Sequence, residues 1–342
     1  MKEKRASRLI ARFLQIAACL GISSVSLAPG NLQLDQFQTP ASQQGDSSAS
    51  RETTQSGADE GTSALLRKAA QSLQANKLAE AETSARAYLA KEPASWEGHF
   101  LLGSILFRQG HAAESLAEFT EGARSHEPEA KDLKIVALDY VLLNDYPNAD
   151  KWLTKSLTWN PNDKDAWYYL GRTKYSENRF EEAITAFDRC LQLENRHVKA
   201  KANLGLSLAG LGRVAEAQAA YREAIAWQAD SKVKIAEPYI DFGDLLLNQN
   251  QPDEAVSILK QAQAIAPEDP RVPELLGKAL WRQNKIEDAR TQLEEAVRLL
   301  PGSAADHYLL GQVYRKLGLA EKAKSELELA AALSTPRDSR RN

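Results

Sequence analysis

The chain has 342 residues, enough for two average domains or for one elongated array of repeats. Its formal net charge of −3 argues against a polycation that coats nucleic acid. Its two cysteines, Cys19 and Cys190, are too few for a disulfide framework or a four-cysteine metal site.

Residues 1–28 have the pattern of a secretory signal peptide. Four basic residues lie within the first eight positions, and an apolar run over residues 13–28 ends in small side chains. This run of 16 residues is slightly short for a comfortable membrane span. We therefore expect export to the periplasm or the extracellular space, with residues 1–28 removed.

Three other interpretations of the N-terminus stay open on the sequence alone. The stretch Ile16-Ala17-Ala18-Cys19 resembles a bacterial lipobox, in which Cys19 would carry the lipid. The apolar run would otherwise serve as an uncleaved membrane anchor, or the chain would not be exported.

Residues 29–61 are predicted to be a disordered linker. They are rich in Gln, Ser, Thr, Asp and Gly and show neither helical nor strand periodicity. Such a segment buries too little apolar surface to offset its chain entropy. It would act as a tether or have no role.

From residue 62 to residue 337 the sequence repeats with a period of 34 residues. The clearest copy runs from Trp167 to Gly171 and continues with Ala183 and Phe187. The pattern predicts eight helical hairpins, with residues 232–235 inserted between the fifth and the sixth. Their ranges are 62–95, 96–129, 130–163, 164–197, 198–231, 236–269, 270–303 and 304–337, followed by a tail over residues 338–342.

The positions of small residues and of helix-breaking residues explain the 34-residue period. Gly and Ala recur where two helical faces meet closely, and Pro recurs where the second helix ends. Gly or Asn recurs between the two helices of a hairpin, where a left-handed conformation is needed. These turn residues are Gly110, Gly212, Gly318, Asn144, Asn178, Asn250 and Asn284.

This pattern resembles the tetratricopeptide repeat family over about four-fifths of the chain. The resemblance implies an all-α fold, a right-handed superhelical solenoid of tandem helical hairpins. It also implies a concave groove, lined by the first helix of each hairpin, that binds partner polypeptides. The chain departs from many family members because no extra capping helix is evident after the last repeat.

The resemblance also indicates which positions of the first helices face the groove. Aromatic side chains beside basic ones are suited to anchoring a peptide. The predicted groove residues are Phe100, Phe107, Lys134, Tyr168, Arg172, Tyr175, Lys199, Trp281 and Tyr308. We expect Tyr168, Tyr175, Arg172 and Lys134 to grip a partner segment; the alternative is that these aromatics only pack against the next helix.

No catalytic constellation is found in the sequence. The five histidines show no metal-binding spacing, and His99 and His307 take the core phase of Trp167. Cys190 takes a phase that holds alanine in other repeats, so we expect it in the core. The sequence predicts no enzyme, no metal and no cofactor.

The predicted function is a non-catalytic scaffold or adaptor for another protein or peptide. The alternative is an envelope assembly lipoprotein, resembling those that pilot secretins or outer-membrane components, anchored through Cys19. No nucleic acid is expected as a partner, a membrane would be met only through the N-terminal segment, and self-association stays open.

Overall fold

The computed structural model describes residues 58–334, with side chains from residue 61, and these residues form sixteen α-helices and no strand. The predicted signal peptide with Cys19, the linker up to residue 57 and the predicted tail lie outside the described residues. The helices are α1 (Ala58–Gln74), α2 (Leu78–Leu89), α3 (Trp96–Gln109), α4 (Ala112–Gly122), α5 (Ala130–Leu142), α6 (Tyr146–Trp159), α7 (Lys164–Ser176), α8 (Phe180–Leu193), α9 (Val198–Gly210), α10 (Val214–Trp227), α11 (Glu237–Asn248), α12 (Pro252–Ile265), α13 (Arg271–Arg282), α14 (Ile286–Leu299), α15 (Ala304–Lys316) and α16 (Ala320–Ser334).

Helix α1 begins inside the segment that was predicted to be linker. The linker prediction for residues 58–61 is therefore wrong, because these residues are helical. The apolar spacing that marks the helix in the sequence starts only at Leu65, so its polar first turn gave no signal.

Two or three residues join the helices within each hairpin, and each of these turns contains one residue with positive φ. All seven turn residues predicted from the sequence have this left-handed conformation. Asn76, with a φ of 58°, supplies it in the first hairpin and was missed. A turn this short forces the two helices to run antiparallel.

Each described helix packs only against helices one or two positions away along the chain. The contacts between second neighbours join the first helices of successive hairpins, and the second helices have no such contacts. We call this continuous series of first helices (α1, α3, α5, α7, α9, α11, α13 and α15) the first-helix layer. The array is therefore quasi-one-dimensional, with stability shared among neighbouring interfaces.

Glycine on the first helix allows close contact with a large side chain of the second helix. A Cβ atom added to Gly171 would lie 2.6 Å from the ring of Phe187, which is fully buried. The corresponding contact at Gly243 would be 2.5 Å from Leu259. The Leu-Gly pairs in the sequence therefore mark the closest approach of the two helices in a hairpin.

Replacing Gly171 with alanine is expected to lower the free energy of unfolding by about 1–2 kcal/mol, since overpacking outweighs the gain in helix propensity. Gly205→Ala is the matched control, because its added Cβ would lie 3.2 Å from the Tyr221 ring and demands a smaller shift. Urea unfolding of both variants tests this, and equal stability of the two would contradict it.

The inserted residues lengthen the connection between the fifth and sixth hairpins. Nine residues separate the end of α10 from the start of α11. The buried side chain of Gln228 donates to the carbonyl of Ile235 at 3.2 Å and accepts from its N–H at 2.9 Å. The α10–α11 interface is consequently the least extensive between consecutive described helices.

Between residues 58 and 334, no helix combines the length and apolar character needed to span a membrane.

Candidate partner-binding site

Three of the nine predicted groove residues are buried, so the expectation that they are exposed is wrong. These are Phe100, Phe107 and Tyr168. The ring centroid of Phe100 lies 5.6 Å from that of Phe119, with the two rings tilted, and a Cβ added to Gly122 would lie 2.6 Å from the Phe100 ring. Because Gly122 has no side chain, the ring turns into the core.

Tyr168 belongs to the interface between the fourth and fifth hairpins. Its ring centroid lies 6.1 Å from that of Phe187 and 5.0 Å from that of His197. His197 caps α9 by accepting from the N–H of Ala200 at 3.0 Å, and burial lowers the pKa of its imidazole. The guanidinium of Arg172 lies 5.9 Å from the centroid of the Tyr168 ring, so the structure brings these two residues together.

Lys134 ties two first helices together. Its Nζ donates to Asp163 at 2.8 Å, and Asp163 caps α7 by accepting from the N–H of Ala166 at 3.0 Å. Its ammonium therefore already has a partner within the array. Tyr175 is half-buried on α7, with its ring centroid 5.4 Å from that of Phe180.

The remaining predicted groove residues stay accessible to different degrees. Tyr308 on α15 is 57% exposed. Trp281 on α13 is half-buried, with the ammonium of Lys316 5.2 Å from its ring centroid. Lys199 on α9 is half-buried. The predicted set is thus divided among buried, paired and accessible side chains.

Two polar side chains of the fifth and sixth hairpins were not predicted from the sequence. Tyr221 on α10 is fully buried, stacks on Phe242 at 5.7 Å, and its hydroxyl has no hydrogen bond within the described part of the chain. Asp241 on α11 is half-buried, and burial raises the pKa of its carboxyl to about 7. The sequence did contain a signal for Tyr221. This residue occupies the position of Phe187 in the 34-residue repeat, and tyrosine differs from phenylalanine only by a hydroxyl.

The formal charge of the first-helix layer changes sign between the fifth and sixth hairpins. Helix α9 carries Lys199 and Lys201 and no acidic residue. Helix α11 carries Glu237, Asp241 and Asp244 and no basic residue. A ligand lying across both helices would therefore meet opposite charges.

His99 and His307, which were both predicted to lie in the core, make the same two contacts; His307 is buried and His99 is half-buried. His99 Nδ1 lies 2.7 Å from the carboxylate of Glu118, and Nε2 lies 3.0 Å from the carbonyl of Pro93. His307 repeats these contacts at 2.5 and 3.1 Å in the last hairpin. Trp167 donates its indole N–H to a proline carbonyl at 2.8 Å in the same way.

Cys190 is fully buried and not in a disulfide, which confirms its predicted place in the core. Burial raises the pKa of its thiol to about 12, and the nearby Glu194 adds to this shift. The reactive thiolate is therefore disfavoured.

Five family models described as "Tetratricopeptide repeat" match residues 68–130, 164–197, 196–268, 246–305 and 307–335, which together cover more than half of the chain. The peroxisomal targeting signal receptor of Saccharomyces cerevisiae is 30% identical over 107 residues. That match covers 31% of this chain but only 17% of the receptor.

Solved structures support the same fold. A tetratricopeptide repeat protein from Parabacteroides merdae ATCC 43184 aligns over 80% of this chain and 99% of its own, with a TM-score of 0.59 and 21% identity. The APC/C hetero-tetramer Cut9-Hcn1 contains a chain that aligns over 82% of this chain and 54% of its own, with a TM-score of 0.56 and 18% identity. At these identities the likeness concerns the fold alone.

Proposed function

The chain belongs to the tetratricopeptide repeat family, and on that premise we propose that it is a non-catalytic scaffold that holds a segment of a partner polypeptide along its first-helix layer. Tetratricopeptide repeat proteins serve as protein-interaction scaffolds. The observation that carries the proposal is the unbroken series of contacts between first helices, which makes one continuous surface from eight separate hairpins.

The accessible side chains of this surface support peptide binding. Tyr308 is exposed, Trp281 lies under the ammonium of Lys316, and Arg172 lies beside the Tyr168 ring. Aromatic and arginine side chains contribute strongly to protein interfaces because they bury a large area at low entropic cost. The named ligand of the yeast receptor is not transferred, since the match covers a small part of that protein.

The test is in-cell photo-crosslinking with the photoreactive residue placed at Tyr308 or at Arg172. Both lie on first helices, and we expect both positions to capture the same partner. The control position is Lys260, which is exposed on the second helix α12. Equal capture from Lys260 would contradict the proposal, and capture of a second copy of this chain would identify self-association.

We also propose that the protein is exported, so that its partner is an envelope or secreted protein. The basic and apolar pattern of residues 1–28 supports this. N-terminal sequencing of the mature protein is expected to show cleavage near residue 26 or 28. Lipid labelling that is lost in Cys19→Ala would instead favour the lipoprotein alternative, and an intact N-terminus on cytosolic protein would contradict export.

A further inference from the structure

The last described helix, α16, has an open face that is covered in the preceding hairpins. Leu327 is half-buried, whereas Leu259 and Leu293, which occupy its position in the two preceding repeats, are fully buried. Leu327 packs on α15, because a Cβ added to Gly311 would lie 2.7 Å from its side chain. Among the described helices α16 contacts only α15, so its other side has no helix of the kind that α15 provides for α14.

This open face of α16 contains a depression of about 480 Å³ whose surface is almost entirely apolar. Leu327 lies in it, with Ala320 and Ala331 on either side along the helix. These alanines occupy the positions of Ile286 and Val297 of α14, which pack on the core that α15 completes. The outer face of a terminal repeat is ordinarily polar, so an apolar depression here indicates a further contact.

Two opposite charges line the same depression, four residues apart on α16. Lys324 and Glu328 are exposed, and neither side chain forms an ion pair or a hydrogen bond with the described residues. One repeat earlier, Glu294 occupies the position of Glu328 and accepts from the hydroxyl of Tyr314 on the covering helix α15 at 2.8 Å. An acid at this position therefore lies where it can bind a helix that covers the face.

A second copy of α16 would present both charges in matching places. When two identical helices pack antiparallel about a twofold axis, each residue faces the one that lies equally far beyond the axis on the other helix. With the axis midway between Lys324 and Glu328, Lys324 of each copy faces Glu328 of the other. The small side chains of Ala320 and Ala331 allow the two helices to come close. The open face of α16 is therefore complementary to itself in charge.

Other segments of the chain fit this face less well. The exposed residues of α1, at the opposite end of the array, include Ser63, Arg67 and Gln71, so a head-to-tail contact would place polar side chains on the apolar depression. Residues 335–342, which follow α16 in the sequence, contain no large apolar side chain. Neither segment offers both the apolar surface and the paired charges that a second α16 offers.

We propose that the open face of α16 is a dimer interface, in which α16 packs antiparallel against α16 of a second copy of this chain. The helix has 15 residues and is therefore about 22 Å long. Such a contact buries roughly 1,000 Å² in total, which is typical of weak association in the micromolar range. The dimer would carry two first-helix layers, so a partner with two binding segments would be held with increased avidity.

Sedimentation equilibrium of the purified full chain over the micromolar range tests the interface. Lys324→Glu and Glu328→Lys are each expected to weaken self-association about tenfold or more, because like charges then face each other twice. An equimolar mixture of the two variants is expected to associate as wild type does, since opposite charges face each other again in the mixed dimer. Lys322→Glu makes the same change of charge on the other side of α16, where the ammonium lies 5.4 Å from the ring centroid of Tyr314. It is the control and is expected to associate like wild type.

Ala331→Arg is a further variant that fills the depression from an exposed position. It is expected to be monomeric, with a melting temperature equal to that of wild type. A wild-type chain that stays monomeric throughout the range would overturn the proposal, as would undiminished association of Ala331→Arg. Association that is lost in Ala331→Arg but not restored in the mixture of charge variants would show that another segment, such as α1, covers the face, and would overturn the twofold dimer.

Discussion

Asp139→Asn is expected to raise the free energy of unfolding at pH 8 by up to about 4 kcal/mol and to change it little at pH 4. Asp139 on α5 is fully buried, and burial raises the pKa of its carboxyl to about 7, while its bond to Ser115 opposes the rise. Asparagine keeps the shape of the neutral acid and cannot ionise. The variant therefore removes the free-energy cost of placing a charge between α4 and α5.

The hydrogen bonds around Asp139 are compatible with its neutral form. The hydroxyl of Ser115 lies 2.5 Å from Asp139 Oδ2 and 2.9 Å from the carbonyl of Gly103. A hydroxyl has one proton, so when it donates to Gly103 the protonated Asp139 donates to it. Asp139 Oδ1 has no hydrogen-bond partner among the described residues. The amide oxygen of an asparagine at that place would therefore lose no hydrogen bond.

The direction in which stability changes with pH follows from the number of protons bound in the folded and unfolded states. The unfolded chain releases the Asp139 proton near its ordinary pKa of 3.8, whereas the folded chain keeps it up to about pH 7. Between these values the folded state binds more protons, so its stability falls as pH rises and the loss is complete above pH 7. At pH values below both pKa values, Asp139 is protonated in the folded and in the unfolded chain. Wild type and variant therefore have similar stability at such pH values.

Urea unfolding at several pH values measures this difference. Asp288→Asn, at an exposed aspartate on α14, is the control and is expected to run parallel to wild type. Hydrogen exchange should place the pH-sensitive opening in α4 and α5, because Asp139 and Ser115 lie on these helices. A constant difference between Asp139→Asn and wild type from pH 4 to pH 8 would contradict the buried-acid explanation.

Tyr168→Ala is expected to lower the free energy of unfolding by about 3–5 kcal/mol, as for other buried aromatic residues. Its ring is 9% exposed and packs on Phe187 and His197, so truncation leaves a cavity between two hairpins. Tyr308→Ala removes the same side chain from an exposed place and should change stability by less than about 0.5 kcal/mol.

The comparison separates the two interpretations of the predicted groove aromatics. Urea unfolding gives the stability of each variant, and crosslinking from Arg172 reports partner capture. Loss of capture in Tyr308→Ala at unchanged stability would support a binding role for Tyr308. A Tyr168→Ala protein as stable as wild type would show that Tyr168 is not a core residue, and its predicted role in the groove would stand again.

The sequence by itself determined the helical hairpins and their turns. A 34-residue period, with Gly or Asn between the helices, is a local pattern that needs no knowledge of the packed array. Asn144 and Gly110 have positive φ for this reason, and Cys190 is buried because its phase is set within its own hairpin. Such features depend on neighbours a few residues away or within one repeat.

Only the tertiary structure decided which first-helix residues are accessible and which polar groups meet. Helical phase gives the side of the helix on which Phe100 or Tyr168 lies. Gly122 of α4 and His197, the N-cap residue of α9, determine whether that side is filled. The stacking of Tyr221 on Phe242 joins two hairpins across the nine-residue connection between α10 and α11. Such contacts come from the spacing between helices, which the period of a sequence does not contain.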